Sequence, residues 1–342
     1  MKNIHIEIDN KENALLKLNS YLLGNIKNEA ANSILEIDNA IGKGYIRNIT
    51  LKGGISFLEY DITFFEEVKI SINAPKENPI YFAYCSKGHL IQSFGKTGKT
   101  RRINEFQTAI LSGSTESHNE FYFEKNLHVK ASVIKISEAF HSNSDDIDGL
   151  SAQIQKLFKY NEAGEPFIYF GTYNLQIADQ IRQLAAIKQD GLVRILLTES
   201  IVYRILALEI QQHIDDTNNV HNLSSSLTKS ELIRIKEVSD LINEKPEKSY
   251  TIKSLCDQCL LSPAKLQEGF KLMHDRTVTD YIRNVRVEAA EKLIKNTDLN
   301  ISEIVYSIGL TSRSYFSKIF KEKYNCSPKY YQENQKTLAA TA

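Results

Sequence analysis

The sequence predicts a multidomain fold: an N-terminal all-β barrel or double sheet, helices after it, and an all-α C-terminal domain built on two helix-turn-helix units. Three observations predict this. Alternation with the two-residue period of strands runs from Asn32 to Ile136, helical periodicity replaces it afterwards, and one helical pattern near the C-terminus occurs twice. At 342 residues the chain exceeds one ordinary domain, and 42% apolar content can supply more than one core. The expected divisions are 1–140 for the β domain, 141–213 for a helical dimerisation or coupling region, 214–228 for a linker and 229–335 for the C-terminal domain.

Residues Lys11 to Gly24 carry Leu15, Leu16, Leu18, Leu22 and Leu23, which predicts a short helix. Beyond Asn32, Ser56, Leu58, Tyr60, Ile62 and Phe64 alternate with Ile55, Phe57, Glu59 and Asp61. Further strand-like runs are Gly44 to Leu51, Val68 to Ile72, Pro79 to Cys85, Leu90 to Phe94, Phe106 to Leu111, Glu120 to Phe123 and His128 to Ile136, with Gly53-Gly54 and Lys87-Gly88 among the turns. Strands this short and evenly spaced suit an antiparallel barrel or jelly roll. Such a barrel can enclose one small ligand. Tyr60, Phe82 and Phe94 are candidates to line that pocket, and equally to be plain core. His89, His118 and His128 are scattered without a His-x-His pair, so neither a metal nor another cofactor is expected.

After Ile136 helices are predicted at Ile147 to Tyr160, Asn174 to Lys188 and Gly191 to His213. The last carries Leu192, Ile195, Leu196, Val202, Ile205, Leu206 and Ile210, nearly two apolar stripes, so it is either doubly buried core or the interface of a homodimer. Asp215 to Ser226 is polar and aperiodic and reads as the linker. Thr228 with Glu231 three residues on forms a capping box for the helix that opens the last domain.

In that domain Ile301 to Ser307 and Arg313 to Lys321 flank a turn at Gly309, the pattern of a helix-turn-helix. Ser262, Leu266, Phe270, Lys271, Thr277 and Tyr281 return as Ser312, Phe316, Phe320, Lys321, Ser327 and Tyr331 at one constant offset, so the unit is built twice. A helix from Thr279 to Lys295 spaces the copies. Ala264, Gln267, Glu268 and Lys271 share the polar face of the first reading helix. Arg313, Ser314, Ser317, Lys318 and Lys321 share that of the second. These faces suit a DNA major groove: Gln267 for adenine, Glu268 for cytosine N4, Ala264 for a thymine methyl, and Arg313 for guanine with Ser314, Ser317 and Lys318 beside it. Lys271 and Lys321 suit phosphates. From residue 229 onward 19 Lys and Arg meet 15 Asp and Glu, leaving 23 against 27 before it, so the basic surplus sits on this half.

The stretch Ile252 to Tyr331 resembles the DNA-binding domain of AraC/XylS-type transcription regulators. Tyr281, Arg286, Ala290, Ile301, Ile304, Gly309, Tyr315, Phe316, Phe320, Lys321, Pro328 and Tyr331 stand where that family's pattern has them. Val305 and Leu310 replace its usual Ala and Phe, while Asp275 and Asn325 replace turn glycines, as the non-glycine residues that best tolerate left-handed backbone. The resemblance implies double-stranded DNA and RNA polymerase as partners, a likeness of the N-terminal domain to the cupin-like sensors of siderophore-responsive members, and a small-molecule effector or partner protein acting there. It implies no enzyme. Arg286 matches a family arginine on the spacer helix, as a phosphate contact or as one half of an intradomain salt bridge. The alternative is a small-molecule-binding or enzymatic cupin-like protein whose C-terminal helices serve assembly.

Cys256-x-x-Cys259 has metal or redox spacing, but no second pair follows, so both read as small buried residues; four cysteines are too few for a disulfide framework. No apolar run approaches the ~18 residues of a membrane span and the first residues form no signal peptide, which predicts a cytoplasmic protein with no membrane partner.

Overall fold

A computed structural model describes residues 1–7, 14–29, 32–73, 79–95, 99–113, 118–137, 150–158, 166–218 and 227–333. They fall into two compact units, Met1–Leu223 and Ser224–Ala342.

The first unit runs β1 (Lys2–Glu7), α1 (Ala14–Leu22), β2 (Asn25–Glu29), β3 (Asn32–Asp38), β4 (Gly42–Thr50), β5 (Ile55–Phe64) and β6 (Val68–Asn73). It continues through β7 (Ile80–Lys87), β8 (His89–Phe94), β9 (Arg101–Asn104), β10 (Gln107–Ser112), β11 (Asn119–Phe123) and β12 (His128–Ile136). It ends on α2 (Leu150–Phe158), β13 (Phe167–Tyr173), α3 (Leu175–Ala185) and α4 (Gly191–Asn218). Strands form two sheets, ordered β1-β6-β11-β8-β9 and β13-β10-β7-β12-β5-β4-β3-β2. Pairing is antiparallel except between β1 and β6. The all-β expectation is met as two sheets that do not close into one barrel.

Period-two alternation decides which residues face which layer. Leu58, Tyr60, Ile62 and Phe64 of β5, with Tyr81, Ala83 and Cys85 of β7, share one apolar core with Val68, Ile70, Phe121 and Phe94 of the smaller sheet. Leu15, Leu18 and Leu22 of α1 belong to that core. The opposite face of the larger sheet is covered by helices: Phe82 meets Phe158 of α2 edge-on at 5.4 Å, and the Tyr84 hydroxyl donates to the Asn174 carbonyl at 2.7 Å. The three residues expected to line one pocket therefore lie on two sides of a sheet, Tyr60 and Phe94 inside and Phe82 outside, and all three are buried core.

Helix α4 also departs from expectation. Val202, Ile205 and Leu206 are buried within the unit, whereas Leu192, Val193, Leu196 and Leu197 are exposed, Leu192 at 69%. Its polar end stays helical to Asn218, four residues into the expected linker, while 219–226 lie outside the described residues, as do the ends of the Ile147 to Tyr160 helix. Strand β13 was not expected, although Phe167-Ile168-Tyr169-Phe170 is a strand-forming run.

The second unit is all helix: α5 (Lys229–Glu244), α6 (Ile252–Cys259), α7 (Pro263–His274), α8 (Val278–Asn296), α9 (Ile301–Ser307) and α10 (Arg313–Tyr324), with a further helical turn over 328–333. Side chains that favour caps fix each start. Thr228 and Glu231 close the expected capping box on α5, Asn300 and Glu303 close another on α9, and Ser262 and Ser312 accept from Lys265 N and Tyr315 N on the two repeated helices. Asp275 and Asn325 end those helices in left-handed backbone.

Candidate nucleic-acid interface

The second helix-turn-helix is held by its own core. Val305, Ile308, Phe316, Ile319 and Phe320 pack beneath α9 and α10 with Val287, Ala290 and Ile294 of α8, and Leu310 lies against them. In the first unit Leu266, Phe270 and Met273 turn the inner face of α7 into the fold. Ser239 on α5 bonds both His274 and Tyr281, at 2.9 and 3.0 Å, and so joins α5, α7 and α8.

This packing leaves the outer face of α10 in solvent. Arg313, Ser314, Lys318 and Lys321 are exposed and Ser317 half-buried; Ser314, Lys318 and Lys321 lie opposite Phe316, Ile319 and Phe320, while Arg313 is exposed as the first residue of the helix. Arg313 Nη1 donates to Ser302 Oγ at 3.1 Å, which steadies the guanidinium at the start of the helix. Tyr315, 45% exposed, stands among them and was not singled out as a contact from sequence. Its place directly before the buried Phe316 is the signal: the next helical position from a core residue points away from the core.

On α7, Ala264 and Lys271 are exposed and Glu268 half-buried. Gln267 is half-buried and already partnered. Its Oε1 accepts from Val278 N at 3.1 Å, so the oxygen that adenine recognition requires caps the first turn of α8 instead. The Nε and Nη2 of Arg286 donate to the carbonyls of Pro246 and Lys248 at 2.9 and 2.7 Å, a tie inside the domain, and Arg286 enters no salt bridge among the described residues. Gly309 meets the same short connection: a Cβ there, at φ +74°, would collide with the carbonyl of Glu247. Residues 246–248 are thus gripped between the spacer helix and the turn of the second unit.

Cations divide into two groups. Arg283 pairs with Asp280 and Glu322, Lys323 with Glu288, and Lys295 with Glu291, which also accepts from the Tyr331 hydroxyl at 2.7 Å. Lys265 pairs with Glu231 at 2.6 Å; that contact and the Thr228 backbone hold the Glu231 carboxyl down to about 2. Among the described residues Lys271, Lys318 and Lys321 enter no salt bridge, nor do Lys253, Arg276, Lys292 and Arg313, so the three lysines are among the cations available to an anionic partner.

Cys256 and Cys259 are buried, with burial pushing both thiols up, as suits small apolar fillers. In the first unit His89 lies beside Glu124, His128 beside Asp61, and His118 against the ring of His5. No cluster of three metal-ligating side chains occurs among the described residues, and no described helix is long and apolar enough to cross a membrane.

Residues 255–334 match the model of a family described as a helix-turn-helix domain. The HTH-type transcriptional regulator AlkR of Acinetobacter baylyi is 26% identical over 66% of this chain and 67% of its own. The transcriptional activator PerA of Escherichia coli O127:H6 is 25% identical over 79% of this chain and 95% of its own. The bifunctional transcriptional activator/DNA repair enzyme AdaA of Bacillus subtilis is 34% identical, but over only 28% of this chain and 48% of its own length.

Proposed function

We infer that the chain is a DNA-binding transcription regulator of the AraC type, a reading supported by the helix-turn-helix match and the named regulators, and from that premise that each copy reads an asymmetric DNA site with two heads, α7 and α10. One observation carries this: α10 exposes Arg313, Ser314, Tyr315, Lys318 and Lys321 to solvent while Phe316, Ile319 and Phe320 hold it to its core. That combination offers bidentate donors for base edges and cations for phosphates. In this reading Arg313 takes guanine, with Ser314, Ser317 and Lys318 beside it, and Lys321 holds phosphate. On α7, Ala264 and Glu268 meet base edges while Lys271 holds phosphate. The 19 residues of α8 span about 28 Å at about 1.5 Å each. Successive major-groove segments on one side of a duplex lie about 34 Å apart, so the spacer can seat both heads.

The first unit acts as the sensing part, under a small ligand or a partner protein, and the exposed apolar turns of α4 join two copies. RNA polymerase is the further partner, and the cytoplasm the place of action.

Randomised-site selection on the wild type, Arg313→Ala and Lys321→Ala tests the reading. Arg313→Ala should lose preference at one block of the site, costing about 1–3 kcal/mol there. Lys321→Ala should weaken all sequences alike and lower the salt dependence of binding by about one counterion. Unaltered preference in Arg313→Ala would mean that α10 does not read bases.

A further inference from the structure

We propose that the cleft between β4 and the α3–α4 turn binds a small organic anion, a carboxylate on an apolar body. This rests on the reading of the first unit as the sensing part, and it places the ligand outside the apolar core between the two sheets. The cleft measures about 230 Å³. At roughly 30 Å³ for each water-sized group, that is room for about eight non-hydrogen atoms.

Its chemistry is two-sided. Ile49, Leu51, Leu184, Ile187 and Ile195 give an apolar wall, and Arg47 and Asn32 give a polar end on the sheet. Both polar residues carry an atom shut from solvent with no hydrogen-bond partner: Nε of Arg47 and Oδ1 of Asn32. A donor shut from water without a partner is destabilising, so the bare cleft favours an occupant that brings an acceptor to Arg47 Nε. A carboxylate accepts from Arg47 Nε, and a half-turn of the Asn32 amide offers its NH2 to the second oxygen.

Charge points the same way. The side chain of Arg47 is 17% exposed, and its ion-pair partner Glu59 stands 3.4 Å from Nη1. Burial raises the Glu59 carboxyl above its ordinary range, so the pair leaves the guanidinium incompletely balanced. Across the cleft Arg194 pairs loosely with Asp190 at 3.7 Å, and Asp190 is turned to solvent, where its charge is screened. Glu199 also lines the cleft, on the helix, which steers an anion towards the Arg47 end.

Isothermal titration of the full-length protein with sodium hexanoate and sodium benzoate, and with hexanamide and benzamide as uncharged counterparts, tests this. Saturable one-to-one binding of at least one carboxylate is expected, with its amide at least tenfold weaker. Arg47→Met should weaken that carboxylate at least tenfold. Because Arg47 is partly buried and its replacement can unfold the protein, Thr198→Trp gives a second arm: it fills the cleft from the helix surface, leaves both arginines, and should abolish binding while melting as the wild type does. The proposal is overturned if neither carboxylate saturates below about 10 mM, if the amides bind as tightly, or if Thr198→Trp binds like the wild type. DNA-site selection by the same proteins is independent of these outcomes, so failure here leaves the two-headed reading standing, and failure there leaves the cleft.

Discussion

Gln267 occupies the solvent side of α7 by helical position, yet its carbonyl oxygen belongs to the start of the next helix. Loss of a group that satisfies an N-terminal amide costs about 1 kcal/mol. Gln267→Ala is therefore expected to lower the melting temperature of the protein and to leave the selected DNA sequence unchanged, which thermal denaturation and site selection together will show. Periodicity gave the correct face for this residue and for Arg313. It could not reveal a partner eleven positions away, because that contact depends on how tightly the chain turns between α7 and α8. The carbonyls that hold Arg286 were hidden for the same reason: a motif marks the arginine, and only the path of residues 246–248 shows what it grips. Leu260 adds a smaller case, a leucine in left-handed backbone where the second unit uses Gly309, at a cost of about 1–2 kcal/mol.

Among elements, α4 was legible as a helix with excess apolar surface, but the allocation of that surface was not. Sequence alone pointed to Ile205 and Leu206 as the interface positions; both are buried within the unit, and it is Leu192 and Leu196 that are left in water. The expected consequence is a split between positions of one helix. Leu192→Glu with Leu196→Glu should give folded protein that sediments as a monomer where the wild type self-associates, whereas Ile205→Glu should unfold the first unit, since a buried unpaired charge costs several kcal/mol. Equal sedimentation of wild type and the double variant would assign the exposed leucines no role in assembly. Strand positions β4 to β8 and β10 to β12 were readable because one or both faces are buried with period two, whereas β1, β2 and the four-residue β9 were missed. β13 escaped because it stands alone among helices, and its pairing with β10 depends on a partner some sixty residues earlier.

For the molecule as a whole, pH dependence turns on Glu209. It is buried on α4 beneath the sheet, with neither carboxylate oxygen hydrogen-bonded, and burial raises its pKa well above the ordinary 4.5. The folded state therefore keeps a proton that the unfolded chain has lost, and stability declines as pH rises from about 4.5 through the folded value, with a slope approaching about 1.4 kcal/mol per pH unit. Glu209→Gln should remove that contribution to the slope in denaturant unfolding followed across pH; the same slope in both proteins would assign the dependence to other groups. Sequence conveyed the division into a sheet-rich and a helical unit because period and repetition persist over many residues, whereas a single buried carboxyl on a long helix leaves no such trace.

The short connection over residues 246–248, clasped by Arg286 and pressed against Gly309, has a counterpart on the DNA. If α7 and α10 are the two reading heads proposed above, it fastens the first to the turn of the second, and the pair is expected to act as a fixed caliper with little play between its jaws. One base pair added between the two blocks of an operator moves the far block by about 3.4 Å and swings it through roughly 35° around the duplex axis. A hinged pair of heads would follow that rotation. This one must twist the DNA or release a jaw, so the tolerance of natural sites to changes in block spacing is set by the stiffness of the duplex and not by the protein.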